Sequence, residues 1–545
     1  MAEATRRMVL KQRAAASSND TTTLAITYGS RSATPALGKL TPQEAAAGGA
    51  YISQFAFAHT GKLVRVITVP TASLANAEGA LRAQPGVTNV GVTGAKRSAM
   101  TVTPYFPSDP YFQGFSFAQN IQAVAGTTAS PQPATYELPP YVETALVPGQ
   151  WDMHAIQLEY AFGYSQPGNS IGPVPGALGS ANVKLAIIDT GEDPTHPELI
   201  AKITRQRCFI TSADGRTQST GNLSVDEVGH GTNVSGIAAA DTGSGLGFAG
   251  AGGSTRILAY RVFPTPDDNC SNAGSTDAQC ETNTVDIASA IHDAVQQGAS
   301  VISMSLGGGG CTGSGNDSDP TEGAAVEDAI AAGIIVVAAS GNSGGAGVSA
   351  PACDSGVIAV GATGLDDGQP NGTGPFGGTS NTPVEYVTSY SQYGSPANQP
   401  GSPNAWGIVA PGGDPALGTD GDDLHWIENI WTSTPYMSSA GDKSFAGECT
   451  DDYPDSRAST APVDCRVLIA GTSMATPHVA GAAALIIAAT GGSGSRFASP
   501  TAMKTLLCQT ADNLGSTQSQ GCGRLNVYRA MAQALTDPVP PPPAP

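Results

Sequence analysis

Charged side chains are few in this chain, and basic ones are fewer than acidic ones. Asp, Glu, Lys and Arg make up 13% of the 545 residues, and 45 Asp and Glu outnumber 25 Lys and Arg, which gives a formal net charge of −20 at pH 7. A surface of this sign repels nucleic acids and anionic lipids. We therefore expect no nucleic-acid partner and no membrane partner.

Long hydrophobic runs are also lacking. A membrane-spanning helix needs a run of roughly 18 apolar residues, and the sequence shows no such run. The N-terminal stretch MAEATRRMVLKQRAAASS carries positive charge but no apolar core, so it does not resemble a signal peptide. We expect neither a membrane span nor a leader within this chain.

The cysteines form no Cys-x-x-Cys motif, which argues against a zinc ribbon or a thioredoxin-like redox site. Nine cysteines are present, mostly in the second half, and close neighbours are candidates for disulfide bonds. The expected pairs are Cys270–Cys280, Cys449–Cys465, Cys508–Cys522 and Cys311–Cys353, which leaves Cys208 unpaired. Because disulfide bonds form in oxidising compartments, we predict an exported protein: secreted, at the cell surface or in the periplasm, with its signal removed.

The composition changes three times along the chain, which predicts four segments. Residues 1–103 contain the strand-like runs GKLVRVITVP and TNVGVTG and a helical stretch opened by Ser73, as in a small α+β domain. Residues 104–180 are rich in Pro, Tyr and Gln with few periodic segments, so we expect a strap that leads into the next domain. Residues 181–535 form the main domain, and residues 536–545 are a polyproline linker.

Strands and helices alternate in the main domain. Apolar runs such as VKLAIIDTG, SVISMSLGG and IIVVAASGN are separated by helical runs such as TVDIASAIHDAVQQG and TEGAAVEDAIAAG. Strands that are apolar throughout belong to a parallel sheet that is covered on both faces. We predict a three-layer α/β fold with a central, mostly parallel sheet, loop-rich insertions at residues 364–466, and a functional site at the C-terminal strand ends.

One serine lies among small residues just before a long apolar run, in GTSMATPHVAGAAALIIAA. The run predicts a helix that is buried on all sides, and Pro477 is tolerated only near the start of such a helix. Ser473 should therefore lie at or just before a helix N-terminus, where free N–H groups and the dipole favour negative charge. It is a candidate nucleophile, and the alternative is a simple N-cap.

Three further polar residues lie at the same predicted sheet edge. Asp189 and Asn342 each follow a buried strand, and His230 opens a helix of small residues between two glycines. A serine nucleophile needs a base, and the base needs an orienting acid; His230 and Asp189 can fill these roles. The Asn342 amide can donate to an oxyanion beside the Ser473 N–H. Taken singly, each residue also has a structural explanation, such as a turn or a cap.

Together, the segments IIDTGEDPTHPEL, GHGTNVSG, AASGNSG and GTSMATPHVAGAAAL resemble the motifs of the subtilisin-like serine proteases, the subtilase family. The resemblance covers roughly residues 105–530. It implies a three-layer subtilisin-like fold and a serine endopeptidase that works through an acyl-enzyme. It also implies that Asp189, His230 and Ser473 form the catalytic triad and that Asn342 is the oxyanion donor.

The resemblance implies more about the surroundings of the site. The pocket for the substrate residue before the scissile bond would have walls formed by Ser305, Leu306, Gly307, Gly308, Ala339, Ser340 and Gly341. One position departs from the family pattern: HGTN has Asn233 where the family usually has a second histidine. Asn233 is not the base, so the departure affects the expected packing near the helix and not the triad.

The family also suggests partners and a cofactor. Residues 1–103 resemble its propeptide, which assists folding and inhibits the site until it is removed, so the chain would be a zymogen that acts on proteins or peptides as a monomer. Calcium is the cofactor that the resemblance implies. Its candidate site is the loop AADTGSGLGFAG with Asp241 as a ligand, and the acidic stretch DPALGTDGDD is a second place for it.

Two other functions compete with this interpretation. The segment GNSGG (341–345) fits the GxSxG pattern of esterases, which would make Ser343 the nucleophile with His425 or His478 as its base. The chain could also be a non-catalytic binding module on a protease scaffold. Replacing Ser343 and Ser473 separately distinguishes the first alternative, and reactivity toward a fluorophosphonate distinguishes the second.

Overall fold

The chain divides into two units, residues 1–99 and residues 100–545, close to the predicted boundary at 103. The computed structural model describes the following residues: 21–29, 35–57, 62–92, 109, 112, 122–123, 150–164, 178–211, 217–219, 226, 228–244, 247–263, 282–312, 316–366, 384–395, 399–414, 426–431, 465–515 and 519–535. The predicted linker at 536–545 lies outside them. Each unit is described by itself below.

In its described residues, the first unit is an antiparallel sheet of four strands with two helices, one more helix and two more strands than the sequence analysis identified. Its elements are β1 (Thr21–Tyr28), α1 (Pro42–Ala46), β2 (Ala50–Phe57), β3 (Lys62–Pro70), α2 (Leu74–Arg82) and β4 (Val87–Val92). The strands are ordered β2-β3-β1-β4. Alternate residues of β1, such as Leu24 and Ile26, point into a small hydrophobic core, as the period of two along a strand requires.

The predicted strap is more ordered than its composition indicates. Within it, α3 (Trp151–Ala155) and α4 (Leu158–Gly163) are almost entirely buried, so the expectation of few periodic segments is wrong for this part. His154 and Glu159 form a buried pair at 3.4 Å, and Asp152 bonds His478 at 2.9 Å. These buried polar contacts fix the two short helices, whose sequences are too brief to show a clear period.

The second unit is built on a twisted, mostly parallel sheet. Its strands are β5 (Gln122–Ala123), β6 (Lys184–Asp189), β7 (Ile203–Thr211), β8 (Thr217–Ser219), β9 (Arg256–Arg261), β10 (Val301–Met304), β11 (Ile335–Ala339), β12 (Ile358–Asp366), β13 (Val384–Val387) and β14 (Gly407–Pro411). Their order is β5-β13-β12-β11-β10-β6-β9-β7-β8, with β14 also paired to β12. The neighbours from β7 to β12 all pair in parallel.

Helices cover both faces of this sheet, which gives the predicted three layers. They are α5 (His230–Ala239), α6 (Thr284–Gln296), α7 (Pro320–Ala331), α8 (Thr472–Ala489), α9 (Pro500–Thr510) and α10 (Val527–Leu535). Leu185 and Ile187 of β6 point to the face with α5 and α8. Ala186 and Ile188 point to the face with α6 and α7. Since both sets are buried, the strands read as apolar throughout.

The long helix α8 lies in the interior of the main domain. It contacts β10, β11, β12 and β14 on one side and α5 on another, and almost every residue is buried. Among the described residues it is the one helix long and apolar enough to cross a membrane, with a mean hydropathy of 1.3 and 89% of it buried inside the protein. The expectation that no run reaches this length is therefore wrong, and the burial is that of a core helix.

The region 364–466 was predicted to consist of loop-rich insertions, and its described parts correct this in two places. β13 and β14 extend the central sheet, and β15 (Ile427–Trp431) pairs with β16 (Cys465–Ile469).

Two predicted disulfide bonds, Cys311–Cys353 and Cys508–Cys522, are formed, and Cys208 is free and buried. The side chains of the other two predicted pairs lie outside the described residues.

Candidate active site

Asp189 and His230 form a direct pair at the C-terminal edge of the sheet. Asp189 is the last residue of β6 and is fully buried. His230 is the first residue of α5, and its Nδ1 lies 2.7 Å from Asp189 Oδ1. The imidazole is 25% exposed, so one edge of the ring faces the buried carboxylate while part of it reaches solvent. A carboxylate at Nδ1 selects the tautomer that leaves Nε2 unprotonated.

A second acid, Asp226, holds the backbone on both sides of this pair. It is fully buried, and its carboxylate accepts hydrogen bonds from Val228 N, Gly229 N, Thr232 N, Thr232 Oγ and Thr190 Oγ, at 2.7 to 3.0 Å. The Thr190 hydroxyl also accepts from Gly231 N at 2.8 Å. These bonds join the residue after Asp189 to the residues flanking His230. The sequence analysis did not single out Asp226, because its partners are brought together only by the fold.

The acids set the protonation of the site. Burial lowers the pKa of His230, but the charge and hydrogen bond of Asp189, with the charge of Asp226, outweigh it, so the net pKa lies above 6.5. Burial and the charges of Asp226 and Asp189 raise the pKa of Glu192 well above 4.5. His230 therefore gains its proton more readily than an ordinary histidine, and Glu192 is favoured in its neutral form.

Ser473 lies in the first turn of α8, directly after Thr472. Gly471 occupies the N-cap position, so the alternative interpretation of Ser473 as the N-cap is wrong. N–H groups in the first turn of a helix have no intrahelical acceptor. The Ser473 N–H thus points out of the helix end, where the helix dipole favours a negative charge.

Pro477 explains how Ser473 is attached to the sheet. Proline has no N–H, so the carbonyl of Ser473, four residues earlier, loses its helical partner. The Ser305 hydroxyl donates to this carbonyl at 2.7 Å, and the Ser473 hydroxyl donates to the Ser305 carbonyl at 3.1 Å. Ser305 follows β10, which pairs in parallel with β6 so that Ser303 lies beside Ile187. Continuing this register places Ser305 beside Asp189.

The structure thus brings the Asp189–His230 pair and Ser473 to the ends of two neighbouring strands. Neighbouring strands are about 5 Å apart in a sheet. His230 is bound to Asp189 at the end of β6, and Ser473 is bound to Ser305 beyond the end of β10. The Ser473 hydroxyl donates to the Ser305 carbonyl in this state and not to His230. Bonds between nucleophile and base are often loose before substrate binds.

Asn342 faces the same helix end. Its Oδ1 accepts from Thr472 N at 2.9 Å and from Thr472 Oγ at 2.8 Å. Because Thr472 N can only donate, the amide orientation is fixed and Nδ2 is left to donate elsewhere. A Cβ built on Gly471 would lie 3.5 Å from Asn342 Nδ2 and 3.7 Å from Ser473 N. Asn342 Nδ2 and Ser473 N thus lie at the same helix end, where both can donate to one oxyanion.

The predicted pocket walls lie next to this position. Ser305 and Leu306 are buried, whereas Gly307 and Gly308 are exposed. Across from them run Ala339, Ser340 and Gly341, which continue from β11. Gly308 N donates to the Ala350 carbonyl at 3.1 Å, and Gly307 has the Ala350 oxygen 3.3 Å from where a Cβ would be. Because Gly307 has no side chain, its backbone can lie this close to the Ala350 carbonyl oxygen.

The residues of the esterase alternative do not come together. Ser343 is exposed, and its backbone N donates to Gln392 Oε1 at 3.3 Å. His478 is fully buried between the Met474 carbonyl at 2.8 Å and Asp152 at 2.9 Å. His478 is therefore occupied within the core, and His425 lies outside the described residues. This alternative gains no support.

Asn233, the position that departs from the family pattern, contacts β15, which pairs with β16. Asn233 is fully buried on α5, and its Nδ2 donates to the Ile430 carbonyl at 3.1 Å. Its Oδ1 has no partner among the described residues. Asn233 thus packs α5 against β15, away from the Asp189–His230 pair, and the departure concerns packing as expected.

The calcium expectation at Asp241 finds no support in the described residues. No group of three or more His, Cys, Asp or Glu side chains in this part of the chain could hold a metal ion. The carboxylates that face the loop after α5 are Asp109 and Glu198, which accept from Gly243 N at 2.7 Å and Phe248 N at 3.0 Å. Backbone N–H groups are donors and cannot be calcium ligands. Of the acidic stretch that begins at residue 414, residues 415–423 lie outside the description.

Comparison with known proteins identifies the family of the chain. The model of the subtilase family matches residues 180–523. Thermitase from Thermoactinomyces vulgaris is 31% identical over 352 residues, which are 64% of this chain and 89% of that protein. Subtilisin DY from Bacillus licheniformis is 31% identical over 64% of this chain and 91% of its own length.

Among solved structures, proteases from Pseudoalteromonas arctica PAMC 21717 match 66% of this chain and 91% of that one, at 25% identity with a TM-score of 0.46, too low for the superposition to add weight. The family match covers more than half of the chain and includes every residue of the site described above. The chain therefore belongs to the subtilase family and is a serine endopeptidase.

Proposed function

We propose that this endopeptidase cleaves peptide bonds with Ser473 as nucleophile, His230 as base and Asp189 as the group that orients the base. The observation that carries the proposal is the 2.7 Å bond from His230 to the buried Asp189, at the strand end beside the one that holds Ser473. Ser473 Oγ attacks the substrate carbonyl while His230 Nε2 takes its proton. His230 then protonates the leaving amine, and water releases the acyl group by the same steps.

Asn342 and the Ser473 N–H supply the charge stabilisation. The carbonyl oxygen becomes negative in the tetrahedral intermediate, and a preorganised donor is most valuable at that moment. Asn342 Nδ2 is preorganised because Thr472 holds the other end of the amide through two hydrogen bonds. We assign Asn342 the role of oxyanion donor on this basis.

The exposed stretch at Gly307 and Gly308 suits an extended substrate. An extended peptide can add to it as a strand through backbone hydrogen bonds, which select for unfolded or flexible chains more than for one sequence. The substrate residue before the scissile bond would enter between this stretch and residues 339–341. Broad endoproteolysis is the activity that this arrangement favours.

We further propose that the first unit is a removable propeptide and that the mature enzyme is secreted as a monomer. The unit forms its own antiparallel sheet and core, separate from the main domain. Two disulfide bonds in the main domain suit an oxidising compartment. The acidic surface, with a net charge of −20, gives no reason to expect nucleic acid as a partner.

Labelling with a fluorophosphonate tests the assignment of the nucleophile. The reagent should label the wild-type chain and the Ser343→Ala variant equally, and it should not label the Ser473→Ala variant. Heat-unfolded protein serves as the unreactive control. Labelling that survives in Ser473→Ala and disappears in Ser343→Ala would restore the esterase alternative, and a wild-type chain that never reacts would favour a binding module.

Replacing Asn342 by Ala should lower kcat by about 10²–10³-fold, the cost of one oxyanion donor. KM should change little, because the developing charge exists only in the transition state. Steady-state kinetics on a chromogenic peptide measure both values. An Asn342→Ala variant with unchanged kcat contradicts the role of the amide.

The pH dependence follows from the pKa of His230. The base works only when it is neutral, so activity is present above its pKa and is lost as the pH falls through it. Because this pKa is raised, the acid limb of kcat/KM should be centred above pH 6.5. Asp226→Asn removes one charge that raises it and should move the limb to lower pH. A wild-type limb centred below the ordinary histidine value contradicts the inferred charge balance.

A further inference from the structure

The loop from Gly341 to Ser349 contains the proposed oxyanion donor Asn342. It leads into Ala350, whose carbonyl accepts from Gly308 N. Its sequence, GNSGGAGVS, contains four glycines, all with positive φ, between +69° and +111°. Such a loop loses more backbone entropy on ordering than one built of other residues. Some other part of the chain must hold it if Asn342 is to be fixed.

The chain segment 390–393 provides part of this support through its backbone. Gly344 N donates to the Tyr390 carbonyl at 2.7 Å, and Gly347 N donates to the Tyr393 carbonyl at 2.8 Å. In the other direction, Tyr393 N donates to the Gly345 carbonyl at 3.1 Å. This short ladder orders the middle of the loop but does not reach Asn342 itself.

The side chain of Gln392 completes the support at both ends of the loop. Its Oε1 accepts from Ser343 N at 3.3 Å and from the Ser349 hydroxyl at 3.5 Å, and its Nε2 donates to the Gly347 carbonyl. Its backbone N donates to the Gly341 carbonyl at 3.0 Å. A Cβ on Gly341 would lie only 2.0 Å from Gln392 Oε1. The carboxamide thus fills the interior of the loop and bonds the residue after Asn342, while the Gln392 backbone bonds the residue before it.

We propose that Gln392 is a positioning residue for the reaction: it holds the backbone around Asn342 so that the amide Nδ2 stays directed at the oxyanion position. Gln392 touches no reacting atom and acts only through the loop. The inference rests on the proposed function of Asn342 and extends it to a residue in a distant part of the chain.

The physical reason is that the two ends of Asn342 are held by different elements. Thr472 at the start of α8 fixes Oδ1, whereas the main chain next to Asn342 is held by the Gln392 backbone at Gly341 and by the Gln392 carboxamide at Ser343. Without the carboxamide, the main chain can shift while Thr472 keeps its bonds, and the amide tilts. A displacement of about 1 Å at a reacting geometry costs up to about 10²-fold in rate. A flexible loop that returns to its ordered position part of the time causes a smaller loss of rate.

The test is a double-mutant cycle between Gln392 and Asn342. Gln392→Ala alone should lower kcat about tenfold and change KM by less than about threefold, because a displaced donor weakens the transition state more than the bound substrate. In an Asn342→Ala background, the same change should lower kcat by less than about threefold, because groups that act as a unit are not additive.

A matched control is Gln296→Ala, which removes an exposed glutamine on α6 that bonds only His292. This variant should keep wild-type kcat and KM. Thermal unfolding is recorded for all variants, and if Gln392→Ala does not fold, Gln392→Met, which keeps the chain length and removes both polar groups, replaces it in the cycle.

Two results overturn the proposal. One is an equal fall in kcat on changing Gln392 with and without Asn342; the other is an unchanged kcat in a folded Gln392 variant. Failure of the underlying function is recognised separately, because it appears as full activity in Asn342→Ala or Ser473→Ala whatever residue 392 is. A loss of thermal stability with unchanged kcat would make Gln392 a structural residue only.

Discussion

Replacing Ser473 by Ala should lower kcat by on the order of 10⁶-fold, the loss expected when the nucleophile of an Asp-His-Ser triad is removed. The fold should persist, because the Ser473 carbonyl keeps its bond from Ser305 and only one partly exposed hydroxyl is lost. Intact-mass measurement gives a second result. The wild-type chain should lose an N-terminal segment of roughly 100 residues, near the boundary at residue 99, and the Ser473→Ala chain should stay whole.

Ser343→Ala is the matched control for this prediction. It removes an exposed hydroxyl one residue after Asn342, and its backbone bond to Gln392 remains. We expect normal turnover and normal processing. If Ser473→Ala remains a working peptidase, the assignment of the nucleophile is wrong. If it is inactive but still loses its N-terminal segment, another protease removes that segment.

Changing Asp189 to Asn should lower kcat by about 10⁴-fold, the second largest effect that we expect. The asparagine side chain has the same shape and is fully buried in the same place, but its amide can turn an N–H toward His230 Nδ1. That tautomer leaves Nε2 protonated and unable to accept the Ser473 proton. The charge that most favours the imidazolium is also lost, so the acid limb of the remaining activity should move to lower pH.

Asp328→Asn provides the control for charge, because it removes one acid from the exposed face of α7. Its kinetics should match those of the wild type. An Asp189→Asn variant that retains more than about a tenth of the activity would show that the orientation of His230 does not depend on this carboxylate. A limb that stays in place would show that Asp189 does not set the His230 pKa.

The sequence was sufficient to locate the principal residues, because each occupies the end of a recognisable element. The apolar run after Ser473 predicted a buried helix, and the small residues after His230 predicted another. The missing N–H of Pro477 could also have predicted that the Ser473 carbonyl needs an outside donor. Which residue provides that donor could not be predicted, since Ser305 and Ser473 are separated by 168 positions.

The roles of Asp226 and Gln392 could not be predicted either, because some of their partners lie far away in the sequence. Asp226 is one of two adjacent acids before His230, and Gln392 is an amide in a loop; neither belongs to a periodic pattern. Their roles exist only once Thr190, Gly341 and Ser349 have been brought to them by the sheet. The calcium expectation at Asp241 stays a prediction. Family resemblance indicated the loop after α5 but not that Asp109, far away in the sequence, would bond its backbone.

Because α8 is buried, the activity of the enzyme should last as long as the main domain stays folded. Ser473 is mounted on the first turn of a helix whose remaining length is almost wholly enclosed by the sheet and by α5. A segment in that position opens only when the whole domain does. Inactivation by heat should therefore coincide with global unfolding, and the amide hydrogens of α8 should be among the last to exchange with solvent.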